Sequence, residues 1–126
     1  MSFDWQKYLE LADELIYHQR TPTLEEAYLR SAMSRSYYGI YGIAFSTLQR
    51  RGVQFPPTDL HKFVRETFQN SGIMLEKKIG TDMGRLWRDR KVADYDSSAS
   101  INATKVQGAF RLAHQILSNL RSLTTP

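Results

Sequence analysis

The sequence predicts an all-α fold, an antiparallel up-down bundle of four long helices and a shorter fifth, on three observations. Every convincing apolar periodicity recurs at three and four residues, and no alternating strand pattern of useful length competes with it. Helix-stopping residues punctuate the chain at Arg20-Thr21-Pro22, Gly52 and Asn70-Ser71-Gly72. The connections between periodic segments are short, which folds successive helices back on one another. At 126 residues, positions 1–126 form one domain, large enough to bury a core without disulfides or metals.

The first helix runs from about Asp4 to Gln19, with Trp5, Tyr8, Ala12, Leu15 and Ile16 on one face. It stops before Pro22, which disfavours helix in the residue preceding it. Thr23-Leu24-Glu25-Glu26 reads as a capping box opening the second helix. That helix continues to Arg51, with Gly52 as the residue past its end. At ~1.5 Å per residue it is the longest element, on the order of 40 Å. Its apolar groups (Ala27, Met33, Tyr37, Ile40, Tyr41, Ala44, Phe45 and Leu48) are spread widely, as expected of a helix buried on more than one side.

Leu60, Phe63, Val64 and Phe68 form the stripe of a third helix. The fourth runs from about Met74 to Ala93. Gly80 and Gly84 within it each cost roughly 1 kcal/mol against alanine, which predicts a kink or a split near Thr81. After the polar connection "DYDSSASIN", the fifth helix carries Ala103, Val106, Phe110, Ala113, Leu117 and Leu120 on one face.

The chain has no cysteine, which excludes disulfides and thiolate metal sites and suits a reducing, cytoplasmic location. The N-terminus lacks the basic start and apolar run of a signal peptide, and no window approaches the roughly 20 apolar residues of a membrane span. A net charge of +4 permits contact with nucleic acid without requiring it. His18, His61 and His114 are not spaced for one helical face, so neither a metal nor another cofactor is expected. A glycine-rich phosphate loop and a nucleophile elbow are both missing.

The unusual stretch is Arg30–Phe45, "RSAMSRSYYGIYGIAF", in which a core-like helix carries arginines, tyrosines, serines and glycines. Ser31, Arg35, Tyr38, Gly42 and Phe45 share one stripe; Arg30, Ser34, Tyr37 and Tyr41 share the next. A buried guanidinium must meet an anion, and "RLWRDRKVADYD" supplies Asp94 and Asp96 where the fourth helix ends. Arg35 is therefore expected to pair with Asp94, and Tyr38 to bond a nearby carboxylate or carbonyl. Two readings stay open: a polar cleft for a phosphate or ribose, or an ion-pair clasp holding two helices in register. Gly39 and Gly42 cost roughly 0.5–1 kcal/mol each in mid-helix, which predicts close approach of another helix, in this chain or in a second copy. Trp87, among Arg85, Arg88, Arg90 and Lys91, is expected in the core.

"RSAMSRSYYGIYGIAFSTLQRRG", the helix "LHKFVRETF" and the turn "LWRDRKVADYD" together resemble the HEPN superfamily. The shared elements are an Arg-x-Tyr-Tyr helix (Arg35 to Tyr38), a His-to-Phe helix (His61 to Phe68) and an Arg-x-x-Ala-Asp-Tyr turn ending at Asp94 and Tyr95. The resemblance spans roughly residues 24–122. It implies a HEPN-like helical bundle, a homodimer joined through the second helix, and a place in a prokaryotic toxin–antitoxin or antiviral defence system, beside a nucleotidyltransferase or other partner protein. Many members are metal-independent ribonucleases with an arginine, then four to six intervening residues, then a histidine; no arginine here satisfies that spacing. The expected function is binding of RNA or a nucleotide by Arg35, Tyr38, Arg90, Asp94 and Tyr95. The alternatives are a ribonuclease using Arg35 and His61 as its catalytic pair, and a structural dimerisation module.

Overall fold

The computed structural model describes residues 2–18 and 21–123. Among the described residues five α-helices make up the fold: α1 (Gln6–Tyr17), α2 (Glu25–Arg50), α3 (Leu60–Gln69), α4 (Met74–Tyr95) and α5 (Ala103–Ser122). There is no strand among the described residues. The all-α bundle expected from periodicity is the one found.

Side-chain contacts fix the directions. Along α2, Arg30, Tyr38 and Arg51 meet Ala93, Arg90 and Glu76 in turn, so α4 runs antiparallel to it. Leu9 and Trp5 of the first segment lie against Gly39 and Gly42, so α1 is antiparallel to α2 as well. Gln6 meets Arg121 near the far end of α5. The four long helices thus alternate, while α3 runs alongside the second half of α2 from the level of Tyr37 and Tyr41. The core is filled by Leu9, Met33, Tyr37, Ile40, Leu48, Phe68, Ile79, Met83, Leu86, Ile116 and Leu120, all at most 1% exposed.

Several local expectations give way to packing. Pro22–Leu24 form a turn of 3₁₀ helix, so α2 begins after Leu24, which makes no side-chain cap. The expected capping box is replaced: Glu26 accepts instead from Arg30 Nε at 2.9 Å. Ala27, expected in the core, is exposed. Gly52 does close α2, at φ +79°. The first helix ends at Tyr17 rather than about Gln19, a residue outside those described.

No break occurs near Thr81, because α4 is continuous to Tyr95. Gly80 explains why a glycine is needed there: a Cβ would collide with the Gln69 backbone and the Arg65 carbonyl of α3. Gln69 Nε2 also donates to the Gly80 carbonyl at 3.1 Å. A local helix penalty is offset by interhelical contact. Gly42 follows the same logic, its missing side chain being filled by the Trp5 indole. The predicted close approach of a helix is therefore met within the chain, by α1 and its leading residue.

Candidate anion-binding site

Asp59 turns the chain into α3 with φ +56°, a left-handed conformation that aspartate tolerates better than most residues. That turn delivers His61, Lys62 and, one helical turn later, Arg65 toward α4, where Arg90 and Trp87 face them. Together with Pro57, Thr58 and Leu60 these residues line an open cleft of about 660 Å³.

The cleft wall is built on aromatic rings. His61 stacks on Tyr41 at 3.9 Å between centroids and 12° between planes. Its Nδ1 lies 2.6 Å from the hydroxyl of Tyr37. Tyr37 is 1% exposed, and burial pushes its pKa well above the ordinary phenol value. It therefore remains a phenol that must donate its proton. Nδ1 is the acceptor it reaches, which puts the proton of the neutral imidazole on Nε2. Burial, then the charges of Arg90 and Arg65, lower the His61 pKa below its ordinary value, so the ring is neutral at pH 7. In this tautomer it offers an N–H.

Arg65 lays its stem over Gly84 and its guanidinium over Trp87 at 4.7 Å. Lys91 lies 4.2 Å from the same ring. Trp87 is half-buried and packed against the core, as expected in part, and its ring is also a platform for two cations. Arg65 Nη1 is buried and has no hydrogen-bond acceptor. Arg90, its side chain 12% exposed, gives Nε to Asp94 at 2.9 Å and Nη2 to the Tyr38 hydroxyl at 2.5 Å.

Most of the expected site residues meet, with different pairings. Arg35 does not pair with Asp94. That carboxylate is taken by Arg90, one helical turn before it on α4, and by the Ser34 hydroxyl at 3.2 Å. Arg35 instead lies between Tyr8 and Tyr38, at 4.7 and 5.2 Å from their rings. Tyr38 bonds an arginine, not a carboxylate or carbonyl. Tyr95 is 75% exposed and lies 5.4 Å from the Arg90 guanidinium. Arg35 and His61 do not share the cleft, whose arginines are Arg65 and Arg90. Arg65 was not expected there, although its spacing of four from His61 places both on one face of α3.

The clasp between α2 and the end of α4 also exists, at a different arginine. Arg30 Nη1 donates to the carbonyls of Val92, Ala93 and Asp96, and Nη2 to that of Ala99 at 2.7 Å. Those are carbonyls of the last turn of α4 and the turn beyond it, where helix ends leave carbonyls short of backbone donors; Val92 and Asp96 also accept from the Asp96 and Ala99 N–H groups.

Among the described residues no cluster of three histidines, cysteines or carboxylates is arranged to hold a metal, and no helix is long and apolar enough to cross a membrane. Compared with known proteins, the chain matches no family model, no curated protein and no solved structure.

Proposed function

We propose that the cleft binds the phosphate of RNA or a nucleotide, and that the chain is a HEPN-like binding protein without the standard catalytic pair. One observation carries this reading: the groups around the cleft are overwhelmingly donors. Arg65, with its buried and unaccepted Nη1, Arg90, Lys62 and the Nε2–H of His61 converge there, against the one carboxylate of Asp59. Planar guanidinium donors match phosphate geometry, and the rings of Trp87 and Tyr38 hold them in place.

The Tyr37 bond counts against the ribonuclease alternative. A general base needs a free lone pair facing the substrate, and His61 spends its lone pair on Tyr37. Arg35, the other half of the expected catalytic pair, stands outside the cleft.

The three segments behind the HEPN resemblance meet around this one cleft, which supports the proposal that the chain serves a prokaryotic toxin–antitoxin or defence pair. The homodimer rests on the resemblance alone, since Gly39 and Gly42 are covered from within; light scattering of the purified chain tests it.

The central test is fluorescence anisotropy with short single-stranded RNA, in EDTA, across a salt series. Wild type is expected to bind with an affinity that falls steeply with salt. Arg65→Gln and Arg90→Gln should each weaken binding about tenfold or more and reduce the salt slope by about one. Arg50→Gln, on the exposed end of α2, should change little. Binding indifferent to salt, or equally weakened at Arg50, would overturn the proposal.

A further inference from the structure

We infer that the ligand carries two phosphates in series, the first seated in the cleft and the second held by Arg35. This deepens the phosphate reading and depends on it. Arg35 is half-buried, yet no carboxylate approaches it among the described residues. Its neighbours are two tyrosine faces and the Ser34 Oγ at 3.4 Å, a distance at the limit of hydrogen bonding. The Ser34 proton is already given to Asp94.

Asp94 is the one carboxylate in the network of Arg35, Ser34, Asp94, Arg90 and Tyr38. Arg90 takes it and Arg35 reaches it only through Ser34, so two guanidiniums stand against one carboxylate and the group carries one positive charge in excess. Arg30, also half-buried, is answered by Glu26 and four carbonyls, and the more exposed Arg51 by Glu76 at 3.0 Å. Arg35 is held by its faces, which leaves the N–H edges of the guanidinium as the groups to be satisfied.

Arg90 links the two places. It lines the cleft, and its guanidinium lies 5.0 Å from the Tyr38 ring, against which Arg35 also rests at 5.2 Å. An anionic chain that passes Lys62 and Arg65 to Arg90 would find Arg35 as the other cation resting on Tyr38. A single phosphate in the cleft leaves that charge unanswered; a second phosphate neutralises it. Two sources share this chemistry, the polyphosphate tail of a nucleotide and consecutive phosphodiesters of an RNA strand.

Calorimetry on the full chain at low salt, with AMP, ATP and the 5′-phosphorylated dinucleotide pApA, tests the second subsite. Wild type should prefer ATP or pApA, each with more than one phosphate in series, over AMP by tenfold or more. A gain confined to ATP identifies the polyphosphate, and a gain confined to pApA identifies the strand. Arg35→Gln should reduce that ratio to near one while leaving AMP affinity unchanged, and Arg35→Lys, which keeps the charge, should retain part of it. A thermal melt confirms that each variant is folded. If Arg35→Gln weakens all three ligands equally, or none, the second subsite is overturned while the cleft stands. If wild type binds none of them and no RNA, the cleft reading falls and takes this inference with it.

Discussion

Arg30 and Arg90 both tie α2 to the last turns of α4, and the contrast between their surroundings separates a strut from a binding group. Arg30, 19% exposed, meets Glu26 and four backbone carbonyls, all acceptors that no ligand is needed to supply. Arg90 has one carboxylate and a tyrosine hydroxyl, and shares its neighbourhood with Arg65 and Arg35. The first arrangement is complete in the free protein. The second concentrates positive charge with too few acceptors, which folding alone does not favour. Satisfaction of donors, rather than burial or residue type, distinguishes the two arginines.

The largest expected effect lies on the strut. Arg30→Ala removes the donors that close α4, leaving the Ala93 and Ala99 carbonyls without their partner. A loss of about 2–4 kcal/mol is expected, since buried groups deprived of a charged partner cost more than an ordinary hydrogen bond. Urea denaturation measures it. Arg65→Gln, by contrast, should change stability by less than about 1 kcal/mol, or raise it, because an unaccepted donor and a like charge are removed together. Equal destabilisation by both substitutions would erase the distinction between them.

A smaller stability effect tests the packing that positions the cleft. Gly80→Ala gains roughly 1 kcal/mol of helix propensity but drives a methyl group into the Gln69 backbone, which cannot rotate away as a side chain would. A net loss of about 1–3 kcal/mol follows, with weaker RNA binding because α3, and with it Arg65 and His61, is pushed off α4. A variant that binds RNA normally despite the stability loss would show that the α3–α4 spacing does not set the site.

Helix periodicity made the bundle legible because each amphipathic face carries its own record of what it packs against. Tertiary contacts are not written that way. The Gly80 penalty was visible in sequence as a reason to break α4, while its compensation by Gln69, eleven residues earlier, was not. Likewise Arg30 and Arg35 are five residues apart and point to different sides of α2, and nothing local states which of them meets α4. The polar residue types of the site were therefore recognisable while their pairing was not. Arg65 has no histidine in the window that follows it, so the arginine–histidine spacing does not single it out. Its position four residues after His61, on a helix already identified, was the available signal.

The smallest expected effect sharpens the comparison at His61, the one cleft donor whose charge changes near neutral pH. Its folded pKa lies below the ordinary value of 6.5. Above about pH 6.5 both folded and unfolded forms are neutral and the group contributes nothing to the pH dependence. As pH falls below that value the unfolded chain takes up the proton first, so stability declines until the folded pKa is passed and then levels off. Burial, then the positive charges of Arg90 and Arg65, enforce this. Wild type should therefore lose more stability than His61→Gln between pH 7 and pH 5 in urea titrations, and Arg65→Gln, which removes one of the charges that lower the His61 pKa, should narrow the difference. An identical pH slope in wild type and His61→Gln would mean that the imidazole is not held neutral by its surroundings, and the Nε2–H assigned to the cleft would lose its physical basis.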